Sequence, residues 1–396
     1  MVNVTLFSQI LKYIPSEIFQ QAVKKYSTDK HSKGITSWSH MVSMLFCHFG
    51  KAHSIRDISY GLRSITGNVN HLGIMERVPS RSSLSYINGH RDWRMFREFY
   101  YSLKEHFQKE GKHLQRKKFQ DINRKIYMLD STIISLCLKV FDWATYRSEK
   151  GAIKLHTLLD YDGCLPSYVF MTPGSQNDGK HAGYMTLPEN SVVVIDRGYQ
   201  SFKMFEQWNK RNIYFVTRLK DTIKYKSVKE LDLPNGESEH ILRDEIIELT
   251  EEDSREDYPG QLRRVVVYDA KEKRTIILLT NNLTWTAETI AELYKQRWMV
   301  EIFFKELKQH LKIKSFIGLN ENAMWIQIWT AMITILLLRI MKEKAQFPWN
   351  LSNLVAFLRI NLFVKIDLQL WLNKPFWSDN EIKSQLEQLE LFNRGD

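Results

Sequence analysis

At residue 125 the grammar of this chain changes. Upstream, apolar residues recur at helical spacing and strand-like alternation is scarce, with breaks at Pro15, Gly34, Gly50, Gly67, Gly73 and Pro79. Downstream come short β-branched or aromatic runs bounded by Gly, Pro, Asp or Asn: KIYMLDSTIISLCL, IKLHTLLDYDG, LPSYVFMTPG, SVVVIDRGY and NIYFVTRLK. Helices are expected around residues 180–188 and 201–211, between the third and fourth and the fourth and fifth of these runs. Three hairpin-like strands followed by alternating helix and strand predict a mixed α/β sheet.

A chain of 396 residues can hold two or three domains. Its charge is unevenly placed. Residues 1–125 carry 21 Lys and Arg against 9 Asp and Glu, whereas the 35 basic and 36 acidic residues that follow nearly cancel. Nucleic acid is the polyanion that best suits such a segment, because each neutralised phosphate releases counterions. An anionic membrane surface is the weaker alternative. The three cysteines, Cys47, Cys137 and Cys164, form no CxxC pair, which speaks against a disulfide framework and a structural zinc site and suits a reducing cytoplasm. The N-terminus lacks the charged start, clean apolar run and cleavage site of a signal peptide. The longest apolar run, AMWIQIWTAMITILLL at 323–338, is short of a membrane span and contains Gln327, Thr330 and Thr334, so a buried core helix is expected and no membrane partner.

Within the N-terminal part, SIRDISYGLRSI, a turn-rich NVNHLGIMERVP, and SRSSLSYINGHRDWRMFREFY read as a helix, a connection and a second helix capped by Ser80. As a helix-turn-helix, the second helix would present Arg81, Ser82, Ser83 and Ser85 near its N-terminus, where recognition helices meet base edges. An ordinary basic helical bundle is the alternative. KHLQRKKFQDINRK at 112–125, with Lys117 and Lys118, is a basic connector. Residues 219–285 then break the pattern: an acidic stretch precedes QLRRVVVYDAKEKRTIILLTNN, two strands joined by a turn. A β-rich insertion fits better than so long a loop.

Two strands carry or end on an acid in an apolar setting, Asp130 in IYMLDST and Asp196 in VVVIDRGY. An acid closing a buried parallel strand often marks a site at that strand's C-terminal end. A third comes from YKQRWMVEIFFKELKQHLK at 294–312, which reads as one helix, with Thr286 a cap upstream. At roughly 100° per residue, Tyr294, Arg297, Glu301 and Lys308 share one face. Trp298, Val300, Ile302, Phe303, Leu307 and Leu311 are expected to bury much of the rest. A solvated stripe of helix-spaced ion pairs is the plain alternative.

The spacing Tyr294-x-x-Arg297-x-x-x-Glu301-x-x-x-x-x-x-Lys308 resembles the YREK signature of the DDE transposases of bacterial insertion sequences, in the family numbered four. Asp130 in LDST and Asp196 in VIDRGYQS resemble that family's first and second acids, and GAIKLHTLLDYDGCLP, with Lys154 and His156, its second strand. The likeness is strong over residues 120–345 and looser upstream. It implies an α/β, ribonuclease-H-like mixed-sheet catalytic core, split into 120–218 and 286–345 by an all-β insertion at 219–285. An all-α DNA-binding domain at 1–119 precedes it, and a C-terminal helical region at 346–396 follows. Asp130, Asp196 and Glu301 would be catalytic and hold two Mg²⁺ ions, with Mn²⁺ as a substitute, while Tyr294, Arg297 and Lys308 would hold phosphates. The resemblance further implies double-stranded DNA as partner, as transposon ends and target, a homodimer on paired ends, and a nucleoid-associated bacterial protein of the cytoplasm. Cleavage would pass through a hairpin, with a flipped base stacked on Tyr225, Tyr258, Tyr268 or Trp285. His156 as a metal ligand is the less favoured reading of that residue. A hydrolytic nuclease of the same fold, and a non-catalytic end-binding protein derived from a transposase, are the rivals. An RNA-processing factor lacks aromatic sheet motifs for stacking bases.

Overall fold

The computed structural model describes residues 4–32, 34–65, 69–74, 77–110, 119, 121–136, 145–146, 150–174, 187–233, 240–311, 316–318 and 320–376. Most of the basic connector, including Lys117 and Lys118, and most of the helix expected around 180–188 lie outside the described residues. The chain divides into two compact units, Met1–Leu114 with Lys305–Asp396, and Gln115–Phe304.

The first unit is helical. Side-chain oxygens of Thr5, Thr36, Ser54 and Ser80 cap the helices Leu6–Leu11, Ser37–Gly50, Ile55–Arg63 and Arg81–His90, each accepting from a backbone N–H that has no partner inside its helix. The predicted first helix and the Ser80 cap are present, but the expected second helix is two: Arg81–His90 ends at an extended Arg91, and a separate helix, Arg94–Glu110, carries the rest of the run. Ser59 Oγ on Ile55–Arg63 donates to the Pro79 carbonyl at 2.8 Å, just ahead of Arg81–His90. The connection includes a 3₁₀ turn at Asn70–Leu72 and then Gly73, at φ +74°, where a Cβ would come within 2.5 Å of Trp38 Nε1. Only glycine fits there.

Helix Glu321–Lys344 runs 24 residues, long and apolar enough by length and composition to cross a membrane, longer than the sequence run suggested. Its most apolar stretch is 94% buried inside the fold. His48 Nε2 meets Thr330 Oγ1 at 3.0 Å and Trp93 stacks on Trp325 at 4.8 Å, so this helix packs among the N-terminal helices.

The second unit is built on a ten-stranded sheet. Its strands are β1 (Ile126–Leu136), β2 (Thr145–Tyr146), β3 (Lys150–Asp160), β4 (Pro166–Pro173), β5 (Val192–Ile195), β6 (Tyr214–Arg218), β7 (Tyr225–Glu230), β8 (Ile241–Leu249), β9 (Leu262–Asp269) and β10 (Arg274–Thr280). β4, β3 and β1 are antiparallel neighbours, and β5 and then β6 continue in parallel from β1. The insertion does not stand apart from this sheet. β10 pairs with β6, and β9, β8 and β7 follow outward as antiparallel neighbours, with one short helix, Glu252–Asp257, between β8 and β9. The insertion is thus β-rich but not all-β.

Alternation along the strands separates two faces. Tyr127, Leu129, Val193, Ile195, Phe215 and Leu279 pack with Phe205 and Trp208 of helix Phe202–Lys210. Met128, Asp130, Val194 and Val216 therefore face the other side, where helix Ala287–Gln296 lies against β5, β6, β9 and β10. The buried alternate strand residues are what allow an aspartate at position 130 without breaking the core.

The helix at 294–312 is not continuous. Ala287–Gln296, capped by Thr286 as expected, ends at Arg297, and a second helix, Trp298–His310, follows. Around the break the bonds tighten to three-residue spacing, Arg297 N to Tyr294 O at 3.0 Å and Val300 N to Arg297 O at 3.1 Å. The faces downstream are not those of one unbroken cylinder. Trp298 and Ile302, expected in the core, are 60% and 44% exposed, whereas Val300, Phe303 and Leu307 are buried.

Candidate active site

Asp130 sits mid-strand on β1, paired across to the buried Thr157 of β3, with its side chain 18% exposed. One position further along the parallel pairing of Leu129 with Ile195, Asp196 leaves the end of β5 and caps the turn Arg197–Tyr199, its Oδ2 accepting from Gly198 N at 3.0 Å. The two aspartates thus stand on β1 and just past the end of its parallel neighbour β5.

Arg297, at the helix break, joins the first acid to the third. Its Nη1 donates to Asp130 Oδ2 at 3.0 Å and its Nη2 to Glu301 Oε1 at 2.7 Å. The i to i+4 pair expected on the helix is present, but it is half of a bridge. Arg297 Nε is buried and has no hydrogen-bond partner among the described residues, and the Tyr294 ring lies 5.8 Å from the guanidinium carbon.

Burial is the largest influence on Asp130 and pushes its carboxyl up to about 6. The Ser131 N–H and the Arg297 cation pull the other way, and Asp196 and Glu301 add to the rise. Burial likewise raises the Tyr294 phenol, so it stays protonated at neutral pH. For Arg297 burial disfavours the cation, but Tyr294, Asp130 and Glu301 outweigh it and the guanidinium is held more firmly charged than usual.

Asp130, Asp196, Tyr294, Arg297 and Glu301 all belong to the sheet unit. Lys308 lies farther along Trp298–His310, half-buried, in the part of that helix counted with the helical unit. Arg81 and Ser82 are exposed on Arg81–His90, while Ser83 is half-buried and bonded to the capping Ser80. Reading the sequence missed Arg218. It ends β6 two residues past the Val194–Val216 pairing, as Asp196 lies two residues past it on β5, and its charge acts on Tyr294. The strand-end rule that singles out Asp196 applies equally to the TRLK that closes the next strand.

His156 is fully buried, with Nδ1 2.9 Å from Tyr199 Oη and Nε2 2.9 Å from Thr172 Oγ1. It lies on the sheet face away from Asp130, paired with Ser131, and it is not among the acids.

Fold and site together define a carboxylate-bearing α/β core in which a helix contributes the last acid. The chain belongs to the Transposase DDE domain family, whose model matches residues 122–337, and residues 2–75 match a domain of unknown function, DUF4372. Relatives include a probable transposase for insertion sequence element IS5377 of Geobacillus stearothermophilus, 30% identical over 60% of this chain and 62% of that protein. A putative transposase of Sinorhizobium fredii is 33% identical over 57% of this chain and 64% of its own. A putative transposase for insertion sequence element IS4SA of Synechocystis is 28% identical over 74% and 81%. The chain thus spans less than two thirds of the length of the first two. Among solved structures, a piggyBac transposase synaptic complex with hairpin DNA aligns with 98% of this chain and 85% of that one at a TM-score of 0.41 and 10% identity.

Proposed function

We propose that this protein is a DNA transposase of an insertion sequence, which binds the element's terminal inverted repeats, cleaves its ends and joins the freed 3′-hydroxyls to target DNA. The observation that carries this reading is the meeting of Asp130, Arg297 and Glu301 at 2.7 and 3.0 Å, with Asp196 just past the end of the neighbouring strand, within a domain of that family. Three antiparallel strands followed by two parallel ones support a ribonuclease-H-like core.

Asp130, Asp196 and Glu301 are an all-oxygen donor set of the kind Mg²⁺ prefers, with Mn²⁺ as a substitute. Asp130 and Glu301 already converge on one cationic group. Among the described residues no three acids stand together as a metal-binding group, and Arg297 bridges two of them. Two such ions, when bound, supply charge stabilisation for the attacking and leaving oxygens of a phosphodiester. The remaining work falls to the protein. Asp130 has to be ionised to ligate, which its raised pKa resists below about 6. Arg297 offers phosphate a fork and its unpartnered Nε, Tyr294 a phenol O–H, and Lys308 a point charge. None of these three has to change protonation state.

For a hairpin route, the burial pattern narrows the base-stacking candidates. Tyr258 is 2% exposed and unsuited to stacking a base, whereas Tyr268 is 38% exposed; Tyr225 and Trp285 already have ring neighbours at 5.2 Å, in Arg264 and Tyr214. Arg81 and Ser82, exposed on their helix in the basic third of the chain, are the DNA contacts favoured at the N-terminus, and Ser83, Lys117 and Lys118 are further candidates from the sequence. Double-stranded DNA as ends and target, a homodimer on paired ends and a cytoplasmic, nucleoid-associated location complete the reading.

The test is strand cleavage and joining on an end-bearing duplex with Mg²⁺, comparing wild type with Glu301→Gln. Nicking and 3′-hydroxyl transfer by the wild type, with binding but no cutting by the variant, is the expected result. Equal activity in the two would remove the three-carboxylate site, and cutting without joining would favour the nuclease.

A further inference from the structure

β5 ends at Ile195, so Asp196 is held by the turn that follows and not by the sheet ladder. That turn is short and tight. Tyr199 N donates to the Asp196 carbonyl at 3.0 Å, while Gly198 N donates to the Asp196 carboxylate. Whatever fixes Tyr199 therefore fixes the direction of the acid.

Tyr199 is 1% exposed, and its hydroxyl meets His156 Nδ1 at 2.9 Å. In the sheet β1 lies between β5 and β3, so this phenol reaches from the turn after β5, past β1, to a side chain on β3. His156 is itself immobilised. Its ring stacks on Phe170 at 4.3 Å and 5°, and its second nitrogen meets Thr172 Oγ1 on β4. A neutral imidazole has one donor and one acceptor nitrogen, and each hydroxyl can take either role, so both ring positions are satisfied without a charge. The pairing of Ser131 with His156, next to that of Asp130 with Thr157, puts this anchor one residue away from the register position of the first acid, on the opposite face.

We infer that His156 and Tyr199 are positioning residues: a buried hydrogen bond from His156 through Tyr199 sets the Asp196 carboxylate relative to Asp130. The inference rests on the transposase reading only for the chemistry that Asp196 serves. Misplacing a catalytic group by a fraction of an ångström to one ångström is costly in rate even when folding and binding survive.

The experiment compares wild type, Tyr199→Phe, His156→Asn and His156→Leu as full-length protein. Phenylalanine removes the hydroxyl at constant shape, and asparagine keeps an amide near the place of Nδ1. Three quantities are read: cleavage per active molecule at saturating end DNA, Mn²⁺ binding by calorimetry, and amide exchange over residues 196–200. Tyr199→Phe is expected to lower cleavage about tenfold, with DNA affinity unchanged, to weaken Mn²⁺ binding several-fold, and to speed exchange in the turn. His156→Asn should recover part of what His156→Leu loses. If the wild type cleaves and Tyr199→Phe matches it in rate, Mn²⁺ binding and exchange, the positioning role is overturned and the transposase reading stands. A smaller folded fraction with normal behaviour per folded molecule also overturns it, because that is a stability effect alone. If the wild type cleaves nothing, the transposase reading fails, and weakened Mn²⁺ binding with faster turn exchange in Tyr199→Phe still supports the positioning role.

Discussion

Asp130→Asn should make this protein more stable at neutral pH while abolishing its chemistry. Burial raises the Asp130 carboxyl from 3.8 to about 6. At about 1.4 kcal/mol per unit, that shift corresponds to roughly 3 kcal/mol of folding energy lost when the folded protein has to ionise the group. The sign follows from proton counting. Between about 4 and 6 the folded state holds a proton that the unfolded state has released, so stability falls as pH rises through this window and stays reduced above it. Asparagine resembles the neutral acid in shape and leaves Arg297 its bond to Glu301. Urea denaturation in EDTA at pH 7.5 should therefore show the variant more stable by about 2–3 kcal/mol, the gap closing towards pH 4. On the proposed metal-binding role, adding Mg²⁺ should narrow the gap, because a carboxylate binds the cation more tightly than an amide oxygen does. A variant no more stable than wild type at pH 7.5, or a gap that ignores pH, would refute the reasoning.

Two further outcomes concern other parts of the chain. Burial pushes His40 and His48 down from 6.5 to about 3, so below 6.5 the unfolded chain takes up protons that the folded helical unit refuses. Stability should fall by up to about 2.7 kcal/mol per pH unit between 6.5 and 3, and His48→Gln should halve that slope in a series of urea melts. In the insertion, Asp244 and Arg263 are 4% and 5% exposed and bonded at 2.8 and 2.5 Å. Asp244→Ala strands a buried guanidinium and should cost about 3–5 kcal/mol by denaturant titration, whereas replacing both by apolar residues should cost much less. Equal losses in the single and double variants would show that the charge pairing is not the source.

How much of this was open to reading from residues alone differs between elements. β1, β3, β4, β5 and β6 were legible because each is an apolar run whose periodicity announces itself. β7 and β8 were not: YKSVKE has exposed, charged positions, and ILRDEIIEL buries Asp244 and Glu245 against Arg263 and Arg264. A buried charged residue reads as polar until its partner, a strand away, is known. The helical caps at Ser80 and Thr286 were legible, being local hydrogen bonds between residues three apart. The break at Arg297 was not, and with it the exposure of Trp298 and Ile302 was misread. Periodicity assumes an unbroken cylinder.

The residue types, two strand aspartates and a tyrosine, an arginine and a glutamate at helical spacing, were set by the chain itself, as were the strand runs and the basic bias of its first third. Tertiary structure alone decided that Arg297 bridges Asp130 and Glu301, that Arg218 joins the neighbourhood of Tyr294, and that His156 turns away from the acids to hold Tyr199. The reason is the range of the forces. Propensity, capping and amphipathic spacing act within a few residues, whereas these contacts join residues brought together only once the sheet has paired and its two faces have been covered.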